Sequence, residues 1–313
     1  MIDDIVEGLR ARPRRLPAAL LYDALGSALF DAITLLPEYG VARAGARVLV
    51  DHLDDVLDAV GPVARVIELG PGSGAAAAVV MRGVAERVHG AEFVGIDVSD
   101  AALDRCTRAV GAVDGVTPRA VVGDWFEGLG EALDDRPEAA VLVLFLGSTL
   151  SNFDRAEVPG FLARLRGRLR AGDTFLLAFD LPKSVSMLLA AYDDALGVTA
   201  AFNRNVLVRL NREHGASLPL DAFRHEARWQ EAGRRVEMHL VATREVRAEV
   251  LGVDVTLTPG ETLWTESSHR YAVDEVTEWA RDAGFRPVDA WVDEEWPFAQ
   301  VLLRAVGPAT PRA

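Results

Sequence analysis

The sequence is poor in cysteine: Cys106 is the single residue of that type among 313 residues. One cysteine cannot form an internal disulfide, and a thiol with no second thiol beside it does not build a thiolate metal centre. We therefore interpret Cys106 as a small apolar residue on a helix. The six histidines show no metal-ligand spacing, so we expect no metal site.

Long apolar runs are also absent. The longest, residues 139–146, is far too short to cross a bilayer, and the N-terminal stretch MIDDIVEGLRARPRR lacks the apolar core of a signal peptide. The formal net charge is −14, which repels phosphate backbones and anionic membrane surfaces. We expect a cytoplasmic protein whose partners include neither nucleic acid nor membrane.

Between Val63 and Asp180, short β-like runs alternate with helical stretches. ARVIELG, EFVGIDVS, AAVLVLFLG and DTFLLAFD are four of the apolar runs. Such alternation predicts an α/β fold with a parallel sheet covered by helices, as in Rossmann-like proteins. Residues 46–60 precede it and carry apolar side chains at helical spacing.

The alternation stops after Asp180. Residues 185–215 read as helical and 222–258 contain β-like segments, whereas the C-terminal part returns to a helix followed by two strands. The chain is therefore expected to have a smaller α+β unit inserted into the α/β core. The expected segments are 1–43 and 182–268 for the smaller unit, and 44–181 with 269–313 for the core.

A glycine-rich turn follows the first core strand, in the order Gly70-Pro71-Gly72-Ser73-Gly74. Glycines let a backbone turn tightly and approach a ligand closely, and ligands of open α/β sheets bind at the carboxyl ends of strands. The turn alone does not identify the ligand, since Gly70, Gly72 and Ala75 also fit the dinucleotide pattern.

Acidic residues end three successive strands, and they favour one ligand class. Glu68 is badly placed for a pyrophosphate but suits a cationic, phosphate-free ligand; Asp97 can accept both ribose hydroxyls. Asp124 and Trp125 suit an adenine. This order predicts an S-adenosylmethionine site, with helix N-capping as the competing explanation for each acid.

Several long strings closely resemble the histidine Nα-methyltransferases of ergothioneine biosynthesis. They are LYDALGSALFDAITLLPEYG, FLGSTLSNFD, AAYDDALGVTAAFNRNVL, LDAFRHEARWQ, RVEMHL, TESSHRY and GFRPVDAWVDEEWPFAQVLL. The resemblance implies a class I methyltransferase core that binds S-adenosylmethionine, and a smaller substrate domain for a free amino acid. It also implies a monomer, and methylation of the α-amine of L-histidine up to the trimethylated product.

The resemblance assigns roles to particular residues. For the cofactor it implies Tyr22, Gly70, Asp97, Asp124 and Trp125, beside Glu68 of the preceding strand and Gly72 of the glycine turn. For the substrate it implies Tyr39, Gly147, Asn152, Tyr192, Met238, Glu266 and Ser268. Tyr39 and Asn152 would serve catalysis at the amine, Tyr192 would hold the carboxylate and amine end with Asn152, and Glu266 with Ser268 would bind the imidazole, with Met238 nearby.

The chemistry of methyl transfer agrees with this assignment. The amine must be neutral and aligned with the sulfonium, which favours uncharged donors and acceptors such as Asn152 and Tyr39. Glu266 offers an acceptor to one imidazole nitrogen and Ser268 can serve the other.

Three alternatives stay open. The turn after Tyr39 reads Gly40-Val41-Ala42, where the family has a second tyrosine and a threonine–arginine pair, so another α-amine substrate such as a tryptophan derivative is possible. A nicotinamide-dependent oxidoreductase would share the glycine turn but requires a Tyr/Lys or His/Asp set that we do not find. A cofactor-sensing protein without catalysis is the third.

Overall fold

The structure is a computed structural model that describes residues 1–307. Its internal contacts divide the chain into two compact units. The insert unit comprises Met1–Gly40 and Pro182–Arg270, and the core unit comprises Val41–Leu181 and the chain from Tyr271 on. The sequence predicts changes of unit after residues 43, 181 and 268. Residues 308–313 of the predicted C-terminal segment lie outside the described residues.

Eleven α-helices are formed within residues 1–307: α1 Ile2–Arg10, α2 Ala24–Thr34, α3 Val41–Asp51, α4 Leu53–Val60, α5 Ala75–Arg87, α6 Asp100–Gly111, α7 Trp125–Asp134, α8 Val158–Arg166, α9 Val185–Tyr192, α10 Val198–His214 and α11 Val273–Asp282. Short 3-10 turns lie at Ala18–Leu21, Thr149–Asn152 and Leu220–Ala222.

The strands over the same range are β1 Arg14–Arg15, β2 Arg65–Leu69, β3 Ala91–Asp97, β4 Val116–Val122, β5 Val141–Phe145, β6 Thr174–Asp180, β7 Phe223–Gln230, β8 Arg235–Ala242, β9 Val246–Val250, β10 Val253–Leu257, β11 Thr262–His269, β12 Phe285–Asp293 and β13 Phe298–Ala305.

The core unit is built on a seven-stranded sheet in the order β12-β13-β6-β5-β2-β3-β4. Strands β2 to β6 run parallel, and β13 is antiparallel to both β6 and β12. Strands β2, β5 and β6 are buried along their whole length, as expected for a sheet covered on both faces. The predicted α/β class is confirmed.

The order of the strands positions the ligand site. Strand β2 pairs with β3 on one side and β5 on the other, so the chain winds away from β2 in both directions. Crevices at such a switch point are where open α/β sheets bind ligands, outside the carboxyl ends of the strands. The glycine turn, residues 70–74, follows β2 directly.

A hydrophobic cluster holds the helices on one face of this sheet. The alternating residues of β2, β3, β5 and β6 contribute Ile67, Leu69, Val94, Ile96, Val143, Phe145, Phe175, Leu177 and Phe179, and helices α7, α8 and α11 contribute Phe126, Leu129, Phe161, Leu162, Val276 and Ala280. Full burial of each large apolar side chain stabilises the fold by about 1.5–3 kcal/mol before conformational entropy is subtracted.

The insert unit contains a four-stranded sheet in the order β1-β11-β8-β7 and a separate β9–β10 hairpin. Strands β7, β8 and β11 are antiparallel, and α9 and α10 pack on β7 and β8. The register of β11 shifts between Trp264 and Glu266, which marks a β-bulge.

One predicted helix is divided in two. The apolar spacing of Val48, Leu49, Leu53, Val56 and Leu57 predicts a single helix over 46–60, but α3 ends at Asp51 and α4 begins at Leu53. His52 leaves the helical conformation, with φ −120° and ψ 14°. Apolar periodicity indicates which face of a helix is buried, and this pattern continues across a break in the helix, so it does not predict the break.

No helix among residues 1–307 combines the length and apolar character needed to cross a membrane. Within that range there is also no group of three or more His, Cys, Asp and Glu side chains placed to hold a metal ion.

Candidate methyl-donor and amino-acid sites

The glycine turn of the core unit has a backbone that other residues rarely adopt. Gly70, Gly72 and Gly74 have φ of 70°, 55° and 76°, in the left-handed region that favours glycine. A Cβ added at Gly72 would meet nothing within 4 Å, and one at Gly70 would meet only the Trp125 Nε1 at 3.7 Å. Open space therefore lies over the first part of the turn.

The end of the turn is packed against helix α6. A Cβ at Gly74 would lie 2.6 Å from the Cys106 Cα and 2.9 Å from its Sγ. Cys106 is buried, and burial with the nearby charges of Glu68 and Asp97 raises the pKa of its thiol to about 12. It serves as a small packing residue beneath the turn, as the sequence predicts.

Glu68 is a buried carboxyl next to this turn. Its side chain lies on β2 with 3% of the residue surface exposed, and its Oε2 accepts no hydrogen bond from the described residues. Burial raises the pKa of the Glu68 carboxyl to about 8. A cationic ligand beside Glu68 would stabilise the ionised form of this carboxyl, which burial disfavours.

Asp97 is the last residue of β3, and Asp124 lies two residues after the end of β4. The Asp97 carboxylate accepts a hydrogen bond from the Ser99 backbone N–H at 2.9 Å, and its pKa is raised because burial outweighs that bond. The Asp124 Oδ1 accepts from the Phe126 backbone N–H at 2.9 Å and caps α7. The competing N-cap explanation thus holds for Asp124; in α6 the cap is Ser99.

Trp125 stands beside the glycine turn in an aromatic setting. Its ring is 5.1 Å from Phe145 edge-on and stacks on Phe153 at 6.0 Å. The half-buried indole is held by these neighbours, next to Gly70. The sequence-predicted residues Glu68, Gly70, Gly72 and Trp125 therefore lie around one turn.

The loop after β5 carries two of the predicted substrate residues. Gly147 has φ 75°, and Asn152 closes the 3-10 turn. The Asn152 side chain is exposed and forms no hydrogen bond to the described residues. It does not cap α8, whose N-cap residue is Glu157.

In the insert unit, Glu266 is a second buried carboxyl. Its Oε1 accepts a hydrogen bond from the Tyr22 hydroxyl at 3.3 Å. Burial raises the pKa of Glu266 to about 7, although the Tyr22 hydrogen bond and the charge of Arg270 both act to lower it. Tyr22 is 37% exposed as a residue, yet the pKa of its hydroxyl is raised well above its ordinary value, by burial first and the Glu266 charge second.

Ser268 follows two positions later on β11. The Tyr192 hydroxyl donates to the Ser268 Oγ at 2.6 Å, and the Arg270 Nη1 donates to the same atom at 2.9 Å. Since the Ser268 oxygen accepts twice, its own hydrogen is available for a third partner. Residues 266 and 268 share one face of the strand, so an acceptor and a donor stand side by side.

Met238 completes this group. It lies directly opposite Glu266 in the β8–β11 pairing and is buried. Opposed residues of an antiparallel pair project to the same face of the sheet. We call Tyr22, Tyr192, Met238, Glu266 and Ser268 the Glu266 cluster.

Aromatic rings surround the cluster. Tyr39 meets Tyr192 at 6.4 Å and Phe30 at 6.1 Å, and Tyr22 meets Phe30 at 5.7 Å and Phe202 at 5.5 Å. All four contacts are edge-to-face. Phe30 and Phe202 are not predicted as site residues, because apolar spacing on a helix does not distinguish a ring that lines a site from one that fills a core.

The structure thus sorts the predicted site residues into two groups. The core unit holds Glu68, Gly70, Gly72, Asp97, Asp124, Trp125, Gly147 and Asn152. The insert unit holds Tyr22, Tyr39, Tyr192, Met238, Glu266 and Ser268. Tyr22, which the sequence assigns to the cofactor, bonds to Glu266 of the predicted imidazole site.

Comparison with known proteins decides the family. The model of the family described as "Histidine-specific methyltransferase, SAM-dependent" matches residues 1–305. The chain belongs to this family. It is therefore an S-adenosylmethionine-dependent methyltransferase, and the predicted family and enzyme class are confirmed.

Individual relatives agree. The histidine N-alpha-methyltransferase of Mycolicibacterium smegmatis is 38% identical over 303 residues, covering 96% of this chain and 93% of that protein. The histidine N-alpha-methyltransferase of Mycobacterium tuberculosis gives the same identity and coverage. The Ergothioneine biosynthesis protein 1 of Schizosaccharomyces pombe is 29% identical over 65% of this methyltransferase, which spans 27% of that longer protein.

The residues of the core unit fit the methyl donor. The methyltransferase has open space above Gly72 and a buried, unpartnered carboxyl at Glu68. The carboxyl suits a cationic nucleoside derivative, and the glycine lets the protein backbone approach such a ligand closely.

Proposed function

We propose that the protein transfers methyl groups from S-adenosylmethionine to the α-amine of free L-histidine, three times in succession, to give Nα,Nα,Nα-trimethylhistidine. The observation that carries the histidine assignment is the Glu266 cluster, where a carboxylate and a hydroxyl hydrogen lie on one strand face. We propose a monomer as the working form.

The cluster matches the imidazole ring in number and kind of hydrogen bonds. A neutral imidazole has one N–H donor and one bare nitrogen. The Glu266 carboxylate accepts from the first, and the Ser268 hydroxyl donates to the second. An indole ring has a donor only, so a tryptophan would leave the Ser268 hydrogen unpaired in a buried site.

In the core unit, Glu68 faces the cationic part of the methyl donor and Asp97 accepts from its ribose hydroxyls. Trp125 packs beside the adenine, with Asp124 next to it. S-adenosylmethionine supplies the methyl group from its sulfonium, and the residues of the chain bind, orient and exclude water.

The amine end requires groups that do not keep the nitrogen charged. Within the insert unit, Tyr39 and Tyr192 offer uncharged donors and acceptors there. Aromatic faces also attract organic cations, by about 0.5–2 kcal/mol each, so the rings of Tyr39 and Tyr192 suit an amine that gains positive charge as methyl groups are added.

The test is mass spectrometry of histidine and tryptophan, each incubated with enzyme and S-adenosylmethionine. We expect one, two and three added methyl masses on histidine. Glu266→Ala should lower kcat/KM for histidine by about 10- to 150-fold, the worth of a hydrogen bond to a charged group. Ser268→Ala should lower kcat/KM for histidine and leave any tryptophan activity nearly unchanged, because an indole has no bare nitrogen to accept from Ser268.

The matched control is Glu278→Ala, which removes an exposed glutamate of α11. It should leave both activities as in the wild type. Equal losses on histidine and tryptophan in Ser268→Ala would contradict the imidazole assignment, and methylation of tryptophan alone would contradict the proposed substrate.

A further inference from the structure

A buried polar chain lies behind the Glu266 cluster, and the proposed chemistry does not use it. Its centre is Asn203 on α10, whose side chain is completely buried. The Asn203 Oδ1 accepts from the Thr265 hydroxyl at 2.6 Å. The Asn203 Nδ2 donates to the His225 Nδ1 at 2.8 Å and to the His239 carbonyl at 3.2 Å. Both amide hydrogens and the oxygen are thus engaged.

One arm of this chain leads to the strand that carries Glu266. Thr265 immediately precedes Glu266 at the bulge of β11, and its hydroxyl also lies 3.0 Å from the Met238 carbonyl. A bulge turns the following side chain relative to the regular pleat. The hydrogen bond from Thr265 to Asn203 therefore fixes the backbone of the bulge, and with it the direction in which the Glu266 side chain projects from the strand.

The other arm leads to Tyr192. Since the His225 Nδ1 accepts from Asn203, the ring carries its proton on Nε2 and donates it to the Tyr192 carbonyl at 2.8 Å. Burial lowers the pKa of His225, in keeping with a neutral ring. This hydrogen bond from His225 holds Tyr192, the last residue of α9, and the Tyr192 hydroxyl donates to Ser268.

We propose that Asn203 and His225 are positioning residues for amino-acid recognition. One amide holds Glu266 through Thr265 and holds Tyr192 through His225, so that the carboxylate of Glu266 and the hydroxyl pair of Tyr192 and Ser268 keep the spacing of an imidazole ring. Neither positioning residue touches the substrate. The inference rests on the proposed function, because the spacing matters only if the cluster binds that ring.

The test uses paired variants of the full-length enzyme. Thr265→Val keeps the volume but removes the bond to Asn203, whereas Thr265→Ser keeps the hydroxyl. His225→Leu removes the donor to Tyr192, whereas His225→Gln retains an N–H. The control is Asn211→Ala on the same helix, where the lost bonds run to the backbone of Leu218.

We expect Thr265→Val and His225→Leu to raise the KM for histidine by about tenfold, the usual effect of one misplaced buried hydrogen bond. Their kcat should fall less than threefold, and their affinity for S-adenosylhomocysteine should be unchanged. Thr265→Ser and His225→Gln should restore the KM to within about threefold of wild type. Asn211→Ala should lower the melting temperature without raising the KM.

Two outcomes would overturn the proposal. The first is an unchanged KM in Thr265→Val and His225→Leu, whatever their melting temperatures. The second is a lower kcat, a higher KM and a weaker cofactor affinity that all change in proportion to the loss of stability, as they would in any destabilised protein. Thr265→Val decides the matter if His225→Leu does not fold. A failure of the proposed function is seen separately, as absence of histidine methylation by the wild type.

Discussion

Ionisation of Glu266 should make the protein less stable as the pH rises. The carboxyl pKa is moved from an ordinary 4.5 to about 7 because the group is buried. A carboxyl whose pKa is raised in the folded state contributes its stability below pH 4.5 and loses it as the pH rises towards 7. At about 1.4 kcal/mol per factor of ten in proton affinity, the loss between pH 5 and pH 8 is about 2–3 kcal/mol.

The perturbation is Glu266→Gln, which cannot ionise and can still accept the Tyr22 hydrogen bond. Its free energy of unfolding should therefore exceed that of the wild type by about 2–3 kcal/mol more at pH 8 than at pH 5. The contribution of Glu68 is present in both proteins and cancels in the difference.

The assay is urea unfolding of both proteins without ligands, from pH 5 to pH 8. Glu278→Gln serves as the control, since that side chain is exposed. Parallel curves for Glu266→Gln and wild type would refute the reasoning, because they would mean that Glu266 ionises in the folded protein as easily as in water.

Two further predictions concern the glycine turn. Binding of S-adenosylmethionine at pH 7 should release close to one proton from the wild type, since a cation beside Glu68 would ionise a carboxyl whose pKa is about 8; titration calorimetry in buffers of different ionisation enthalpy measures this, and equal release by Glu68→Gln would contradict it. Gly74→Ala should destabilise the protein by about 1–3 kcal/mol more than Gly90→Ala, because both positions have positive φ but only the Cβ at Gly74 would meet Cys106; thermal unfolding tests this, and equal effects would show that α6 yields.

Much of the core unit could be predicted from sequence because its information is local. A strand, a glycine turn and a helix follow one another directly along the chain, and parallel strands bring their carboxyl ends to one edge. Glu68, Gly70 and Gly72 can therefore be assigned to one site from the sequence. Asp124 shows the limit of this reasoning, since the same position serves as a helix cap.

The contacts of the insert unit could not be predicted in this way, because they join residues far apart in the sequence. Tyr22 and Glu266 are 244 residues apart, and Tyr192 and Ser268 are 76 apart. No periodicity connects residues at these separations, so the sequence alone pairs neither Tyr22 with Glu266 nor Tyr192 with Ser268, and it gives Asn203 no role. The pairing follows from the register of β8 and β11 and the packing of α10, which are tertiary properties.

By itself, then, the sequence determined the α/β class, the glycine turn and the family, because each is carried by short strings whose chemistry is complete within the string. Only the tertiary structure decided which carboxyls are buried and unpaired, which hydroxyl faces which acceptor, and which amide lies behind them. Burial and hydrogen-bond partners depend on distant segments that meet only when the chain folds.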